Sequence, residues 1–274
     1  MVEIFNNIRK LYRFIDPCPE LADYIEFFAE SSQEATKEYI YGDEFSVRMF
    51  ASWTPTFFIN LGAPYRILLG DCAYSVNAGQ GILILRNSIV ERHNKATDNV
   101  FTIKFFPGGL ESVLGVSQLI SKDNCVDLRT ILPQNLLESL KQPIPFEERY
   151  GIMQTFLLAS FAKRKKKDHY LQFVQDCIGN DPTEIQWKTS LLADKMFVSS
   201  KTINRYFNRV IGISPKSYLS VIRARAALAA YISNKNLFSP FDFGYYDMSH
   251  FYKEIRNFTG KKLSEQDPCS PDIF

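Results

Sequence analysis

The sequence predicts an α+β protein: a small β-barrel or sandwich-like N-terminal domain with helices, then an all-α C-terminal domain in which a long helix joins two short helical units. Three observations predict it. Up to about residue 106 the apolar residues fall in short β-branched or aromatic runs separated by Gly, Pro, Asn and Asp, the pattern of strands and turns. From Gly109 onward the apolar period becomes helical. Two fourteen-residue stretches, forty-eight residues apart, then repeat one pattern of cap, apolar stripe and stop.

In chain order, residues 19–30 read as a strand or a short helix. Runs at 45–50, 56–61, 65–69, 81–85 and 100–106 read as strands, and their spacing suggests a small antiparallel barrel or sandwich. Residues 136–140 and 147–162 read as helices, the second with Tyr150, Phe156, Leu157 and Phe161 available to pack. The basic run Lys163-Arg164-Lys165-Lys166-Lys167 reads as a solvated helix end or linker more than as a nucleic-acid arm. It marks the expected boundary between domains 1–165 and 166–274. Beyond it, 169–178, 187–196, 200–210, 214–233 and 248–258 read as helices. Leu191, Leu192 and Ala193 are the expected packing face of the second of these. Ser214-Pro215 is an N-cap followed by a first-turn proline, and the helix it opens carries Leu219, Ile222, Ala226 and Ala229 on one face.

The repeated stretches are 199–212 and 247–260. Ser199 and Asp247 cap them, and Gly212 and Gly260 stop them. Ile203, Phe207 and Val210 match Phe251, Ile255 and Phe258, an i, i+4, i+7 spacing that puts each trio on one helix side. The opposite sides are polar and basic: Lys201, Asn204, Arg205 and Asn208, then Ser249, Tyr252, Lys253 and Arg256. A buried stripe backed by polar side chains that reach into a groove suits a DNA-reading helix. Arg205 and Lys253 can donate to guanine O6 and N7, and Asn204 can pair with adenine N6 and N7. Thr202, Ser249 and Tyr252 suit phosphates or a thymine methyl, and His250 stands in a plausible contact position. The helix between the stretches is ~30 Å long at ~1.5 Å per residue. A turn of B-DNA advances ~34 Å, so two helix-turn-helix units on this rod reach successive major grooves.

Charge follows the same division. Residues 1–165 carry 17 basic and 19 acidic side chains, whereas 183–263 carry 13 and 5, a local net charge of +8. A basic body favours polyanions through counterion release without conferring sequence preference. Cys18, Cys72, Cys125, Cys177 and Cys269 are scattered, odd in number and without a CxxC pair, as free thiols in a reducing cytosol would be. No apolar run approaches the ~20 residues of a membrane span, and the first residues, Met1-Val2-Glu3-Ile4-Phe5, hold no secretory leader. A cytoplasmic protein with no membrane partner is expected.

Three segments give the C-terminal half a family resemblance. They are Asn204-Arg205-Tyr206-Phe207 with Gly212-Ile213-Ser214-Pro215; Arg223 with Ala226-Ala227-Leu228; and the run from Phe243 through Gly244, Tyr245, Asp247, Met248, Ser249, His250 and Phe251 to Phe258-Thr259-Gly260. Residues from about 169 to 266 resemble the tandem helix-turn-helix DNA-binding domain of AraC-type (AraC/XylS) transcription regulators. Ile59-Asn60-Leu61-Gly62, Pro64-Tyr65 and Phe105-Phe106-Pro107-Gly108-Gly109 are similar, over shorter motifs, to the sensor domain that often precedes it. The resemblance implies a bacterial regulator with a β-rich, cupin-like domain over 1–165 for effector sensing or dimerisation, and no catalysis or cofactor. It implies base contacts at Lys201, Asn204 and Arg205, and at Met248, Ser249, His250, Tyr252 and Lys253.

The sequence departs from the family at several places. Lys195-Met196-Phe197 lacks the turn glycine of the first unit, and Phe238-Ser239-Pro240-Phe241-Asp242 replaces the bracing helix of the second with room for about one turn. Leu263 and Gln266 stand where a proline and an aromatic are usual. The first unit is therefore expected to supply most of the sequence discrimination.

The expected partner is double-stranded DNA. A small-molecule effector, RNA polymerase and a second copy of the chain remain open as further partners. The alternative is an enzyme or ligand-binding protein whose β domain carries the main activity beside a nonspecific basic helical domain. His93 is the lone histidine of the first 165 residues, which is poor material for a metal site. Phe50, Trp53, Phe58 and Phe106 could line a pocket, serve a protein-interaction module or simply form core.

Overall fold

The computed structural model describes residues 10–40, 42–164, 168–178, 188–260 and 262–263. Lys165 to Lys167 of the basic run, Trp187, Gln266 and Cys269 lie outside them. The strands are β1 (Tyr12–Ile15), β2 (Ile25–Ser31), β3 (Glu44–Met49), β4 (Pro55–Asn60), β5 (Tyr65–Leu69), β6 (Cys72–Val76), β7 (Gly81–Leu85), β8 (Val90–Lys95), β9 (Val100–Phe105) and β10 (Val126–Asp127). They form a six-stranded sheet in the order β1-β2-β9-β4-β7-β10 and a four-stranded sheet in the order β3-β8-β5-β6. Every pairing is antiparallel. Among the described residues no ladder joins one sheet to the other, so of the barrel and the sandwich that the sequence left open, the domain is the sandwich.

The run-like strands of the sequence are those covered on both faces. β4 and β9 are buried at all six positions. Phe57, Ile59, Phe101, Ile103 and Phe105 pack outward against α3 (Gln134–Leu140) and α4 (Phe146–Ala162), while Phe58 and Val100 face Val47, Ile67 and Val90 of the other sheet. Two shorter helices, α1 (Gln33–Tyr39) and α2 (Gly109–Leu114), complete this half. Gly109 admits α2 closely: a Cβ there would lie 2.0 Å from the Tyr24 carbonyl oxygen. β8 was not expected, because its inward face carries Arg92 and Asn94 and so inverts the hydrophobic signal.

The C-terminal half is helical: α5 (His169–Ile178), α6 (Thr189–Lys195), α7 (Ser200–Val210), α8 (Pro215–Ser233), a 3-10 turn at Pro240–Phe243, and α9 (Met248–Thr259). No described helix is long and apolar enough to cross a membrane. Leu192 and Ala193 are buried on α6 but Leu191 is exposed, since three consecutive helical residues cannot share one face.

The halves meet around residues 50–54. Trp53 and Leu85 pack among Leu171, Phe207, Val210 and Tyr218, and Phe50 packs with Ala224, Leu228 and Phe251. The Gln118 side chain, wholly buried, donates to the Ile211 carbonyl (3.1 Å) and more weakly to that of Trp53 (3.4 Å), and it accepts from Gly108 N–H (2.8 Å). Arg225 of α8 donates to the Phe50 and Ala51 carbonyls at 3.5 and 3.4 Å, and Arg86 donates to that of Phe50 at 3.2 Å. Gly212 abuts Leu119, 2.5 Å from where its Cβ would stand, and Gly260 faces Ile89 at 3.5 Å. Replacing Gln118 by Leu leaves these backbone groups unpaired in the interior. It should lower stability by about 1–3 kcal/mol in equilibrium chemical denaturation.

Candidate nucleic-acid interface

α7 forms where the sequence places a cap, a stripe and a stop. Ser199 accepts from Thr202 N–H at 3.2 Å, and Ile203, Phe207 and Val210 are buried in a cluster with α5, α6 and α8. Lys201, Asn204, Arg205 and Asn208 are exposed on the far side, and Thr202 is partly buried beside its cap. The Asn204 amide donates to the Ser200 carbonyl (2.9 Å) and the Asn208 amide to the Asn204 carbonyl (2.8 Å). Pairing Asn204 with adenine therefore requires its amide to turn away from the helix. Arg205 lies over the Tyr206 ring, 5.3 Å from its centre. Arg209 bonds Asp168 at 2.7 Å and covers Tyr170, which ties the end of α7 to the start of α5.

α9 repeats the construction. Asp247 accepts from His250 N–H at 2.7 Å, Phe251 and Ile255 are buried, and Gly260 ends the helix with φ 73°. Ser249, Tyr252, Lys253 and Arg256 are exposed; Met248 is partly buried against the apolar cluster, and His250 is partly buried with its ring near those of Tyr245 and Tyr246. Glu254 fixes α9 to α8. It receives Arg223 at 2.6 and 3.2 Å, Ser220 at 3.1 Å and the Tyr245 hydroxyl at 3.2 Å. Burial, and then the Glu254 charge, push the Tyr245 hydroxyl far above the ordinary phenol range, so it remains a donor.

α8 has 19 residues and so is about 28 Å long, slightly less than one turn of B-DNA. The brace of the second unit is the four-residue 3-10 turn, which ends at Gly244 with φ 72°. The first unit has no glycine at its turn, and there Phe197 takes the left-handed conformation (φ 53°) while 96% exposed.

The structure also adds residues that the sequence did not single out. Lys235 and Lys262 join Tyr231, Tyr252, Lys253 and Arg256 around a hollow of about 560 Å³ whose lining contains no acid. The charge count pointed to such a surface, but their place on it depends on how α8 and α9 pack. Of the four aromatic pocket residues, Phe58 lines a cavity between the sheets, Phe50 and Trp53 enter the helical clusters, and Phe106 is partly buried after β9. Among the described residues no group of three His, Cys, Asp or Glu side chains could hold a metal. His93 bonds Ser46 at 3.0 Å and lies 3.3 Å from Glu91.

Residues 192–266 match the family model described as a helix-turn-helix domain. The match spans both caps, both apolar stripes and the joining helix. The chain carries a helix-turn-helix domain. Among solved structures, the chain is similar to an apo variant of ToxT from Vibrio cholerae, at 12% identity over 87% of this chain and 96% of that one, with a TM-score of 0.48. It is similar to ToxT with an unsaturated fatty acid bound, at 12% identity over 81% and 92% with a TM-score of 0.47. It is also similar to the AraC-like transcriptional activator CuxR, at 14% identity over 82% and 88% with a TM-score of 0.29. At these identities and scores no residue role passes from those proteins to this chain. A search of curated proteins found no match.

Two substitutions test how the helix-turn-helix domain is held. Glu254→Gln removes the ion pair with Arg223 and should cost about 1–3 kcal/mol, read as a lowered thermal midpoint. Phe197→Gly relieves a left-handed phenylalanine, and its gain, reduced by the freer unfolded chain, should reach up to about 1 kcal/mol in the same measurement.

Proposed function

We propose that the protein is a sequence-specific, DNA-binding transcription regulator in which α7 and α9 enter successive major grooves on one face of the duplex. The observation that carries this reading is the pair of capped helices, each with a buried stripe and an exposed polar face, mounted on one helix about 28 Å long. Lys201, Thr202, Asn204, Arg205 and Asn208 form the contact face of the first unit. Met248, Ser249, His250, Tyr252, Lys253 and Arg256 form that of the second. Residues 1–165 act as a β-rich body that modulates DNA binding in response to a small molecule, and 166–274 act as the DNA-binding domain. Two readers in one chain suffice for an asymmetric site without a second copy.

The first unit supplies most of the discrimination. Arg205 presents a planar fork that matches both guanine acceptors, whereas Lys253 is a point charge suited to either a base or a phosphate. Selection of sequences bound by the full chain from a random DNA pool should enrich two half-sites about 10 base pairs apart. Arg205→Ala should weaken binding to that site by about 1–3 kcal/mol and relax it at one position. Lys253→Ala should act more evenly across sequences and reduce the salt dependence. A larger loss of discrimination from Lys253→Ala than from Arg205→Ala would reverse the assignment. Salt-sensitive binding with no enriched motif would reduce the domain to a nonspecific binder.

A further inference from the structure

The two flanks of α9 differ in charge and in what borders them. On one flank stand Ser220, Val221 and Ala224 of α8, and there Glu254 holds Ser220 and Arg223. On the other stand Tyr231 and Lys235 at the far end of α8, with Tyr252, Arg256 and Lys262. The first unit packs through Phe207 on Tyr218, Leu219 and Ile222, about nine residues and so ~13 Å nearer the start of α8 than Tyr231. The flank with Lys235 is therefore the outer one, turned away from α7.

Four cations, Lys235, Lys253, Arg256 and Lys262, surround the hollow of about 560 Å³ on that flank, and no acid lines it. The described acids of the second unit are placed elsewhere. Asp247 caps the leading end of α9, Glu254 is paired on the inner flank, and Asp242 lies in the 3-10 turn. Like charges gathered in this way repel one another, and a polyanion laid across them relieves the repulsion.

The fold holds the two lysines in place. Leu237 N–H donates to the Asn234 carbonyl at 3.2 Å, closing a turn that sets Lys235 beside Tyr231, its Nζ 5.7 Å from the ring centre. Gly260 ends α9 at φ 73°, and Leu263 packs against the cluster of Phe251 and Ile255, which brings Lys262 alongside the helix. Burial, and then the neighbouring Tyr231, hold the Tyr252 hydroxyl above the ordinary phenol range, so it stays a neutral donor among the cations. Neither lysine belongs to α9. With α9 in a major groove they stand at the outer rim, where the sugar-phosphate backbone runs.

We propose that Lys235 and Lys262, with Arg256, form a phosphate clamp that grips the DNA backbone on the outer side of the second half-site. The clamp positions the duplex and carries no sequence preference. It extends the footprint past the second half-site, away from the first unit. The clamp deepens the DNA-binding reading and rests on it for the place of contact, whereas a charge-dependent grip on duplex DNA does not require sequence-specific reading.

The affinity of the full chain for duplex DNA is measured against salt for the wild type, for Lys235→Gln/Lys262→Gln, and for Lys37→Gln/Lys95→Gln, which removes the same charge from exposed positions of the β-rich half. Each phosphate contact contributes ~0.9 to the slope of log affinity against log salt, so the clamp variant should lower the slope by about 1.8. It should weaken binding about tenfold at low salt and leave the enriched motif unchanged. The control should keep the wild-type slope. In a second arm the duplex is trimmed to the outer edge of the second half-site. Trimming should weaken the wild type several-fold and leave the clamp variant unaffected. An unchanged slope in the clamp variant, an equal loss in the control, or an equal loss on trimming in wild type and variant would overturn the clamp. A reduced slope on a duplex of random sequence, with no motif enriched, supports the clamp and refutes sequence-specific reading. An enriched motif with an unchanged slope refutes the clamp alone. No binding to any duplex refutes both.

Discussion

The carbonyl oxygen of Phe50 receives two guanidinium groups, one from each half of the molecule: Arg86 beside the six-stranded sheet and Arg225 on the long helix. Both side chains are almost wholly buried. A cation can be kept from water only where acceptors replace its hydration, and here backbone carbonyls are among them. The chain at 50–54 departs from strand geometry to present them. Trp53 sits at φ 55°, a conformation that disfavours a bulky residue by roughly 1–2 kcal/mol and persists because its ring is locked among the helices.

That seat explains how the two helical units are held. The helical clusters are completed by Phe50, Trp53 and Leu85 from the sheet side, so neither helix-turn-helix core is closed by its own helices alone. The Glu254 network and the Arg209–Asp168 pair then orient α9 and α7 individually. Their exposed faces are mostly polar because the fully buried apolar residues, Ile203, Phe207 and Val210 on α7 and Phe251 and Ile255 on α9, lie on the opposite side.

Much of this could be read from the residues. α5 and α7 occur with the bounds that periodicity and caps indicate, and α8 starts at the expected Ser214-Pro215 signal. Strands covered on both faces, such as β7, announce themselves as unbroken apolar runs. β8 could not, because it turns Arg92 and Asn94 inward and His93 and Lys95 outward, so its alternation carries no apolar signal. The same inversion hid the space between the sheets, which Arg92 lines beside Phe58, whereas Phe50 and Trp53 were recruited to a surface that exists only once the halves meet. Phe197 shows another limit. The turn glycine usual in the first unit is absent from the sequence, yet the chain makes a left-handed step there with a phenylalanine.

The stop glycines have a further consequence. Gly212 rests on Leu119 and Gly260 on Ile89, so α7 and α9 both meet the β-rich half at their trailing ends. Two rods clamped at the same end by one solid block behave like the tines of a fork. Their separation belongs to the handle as much as to the helix between them, and a small tilt of the handle moves both tips together.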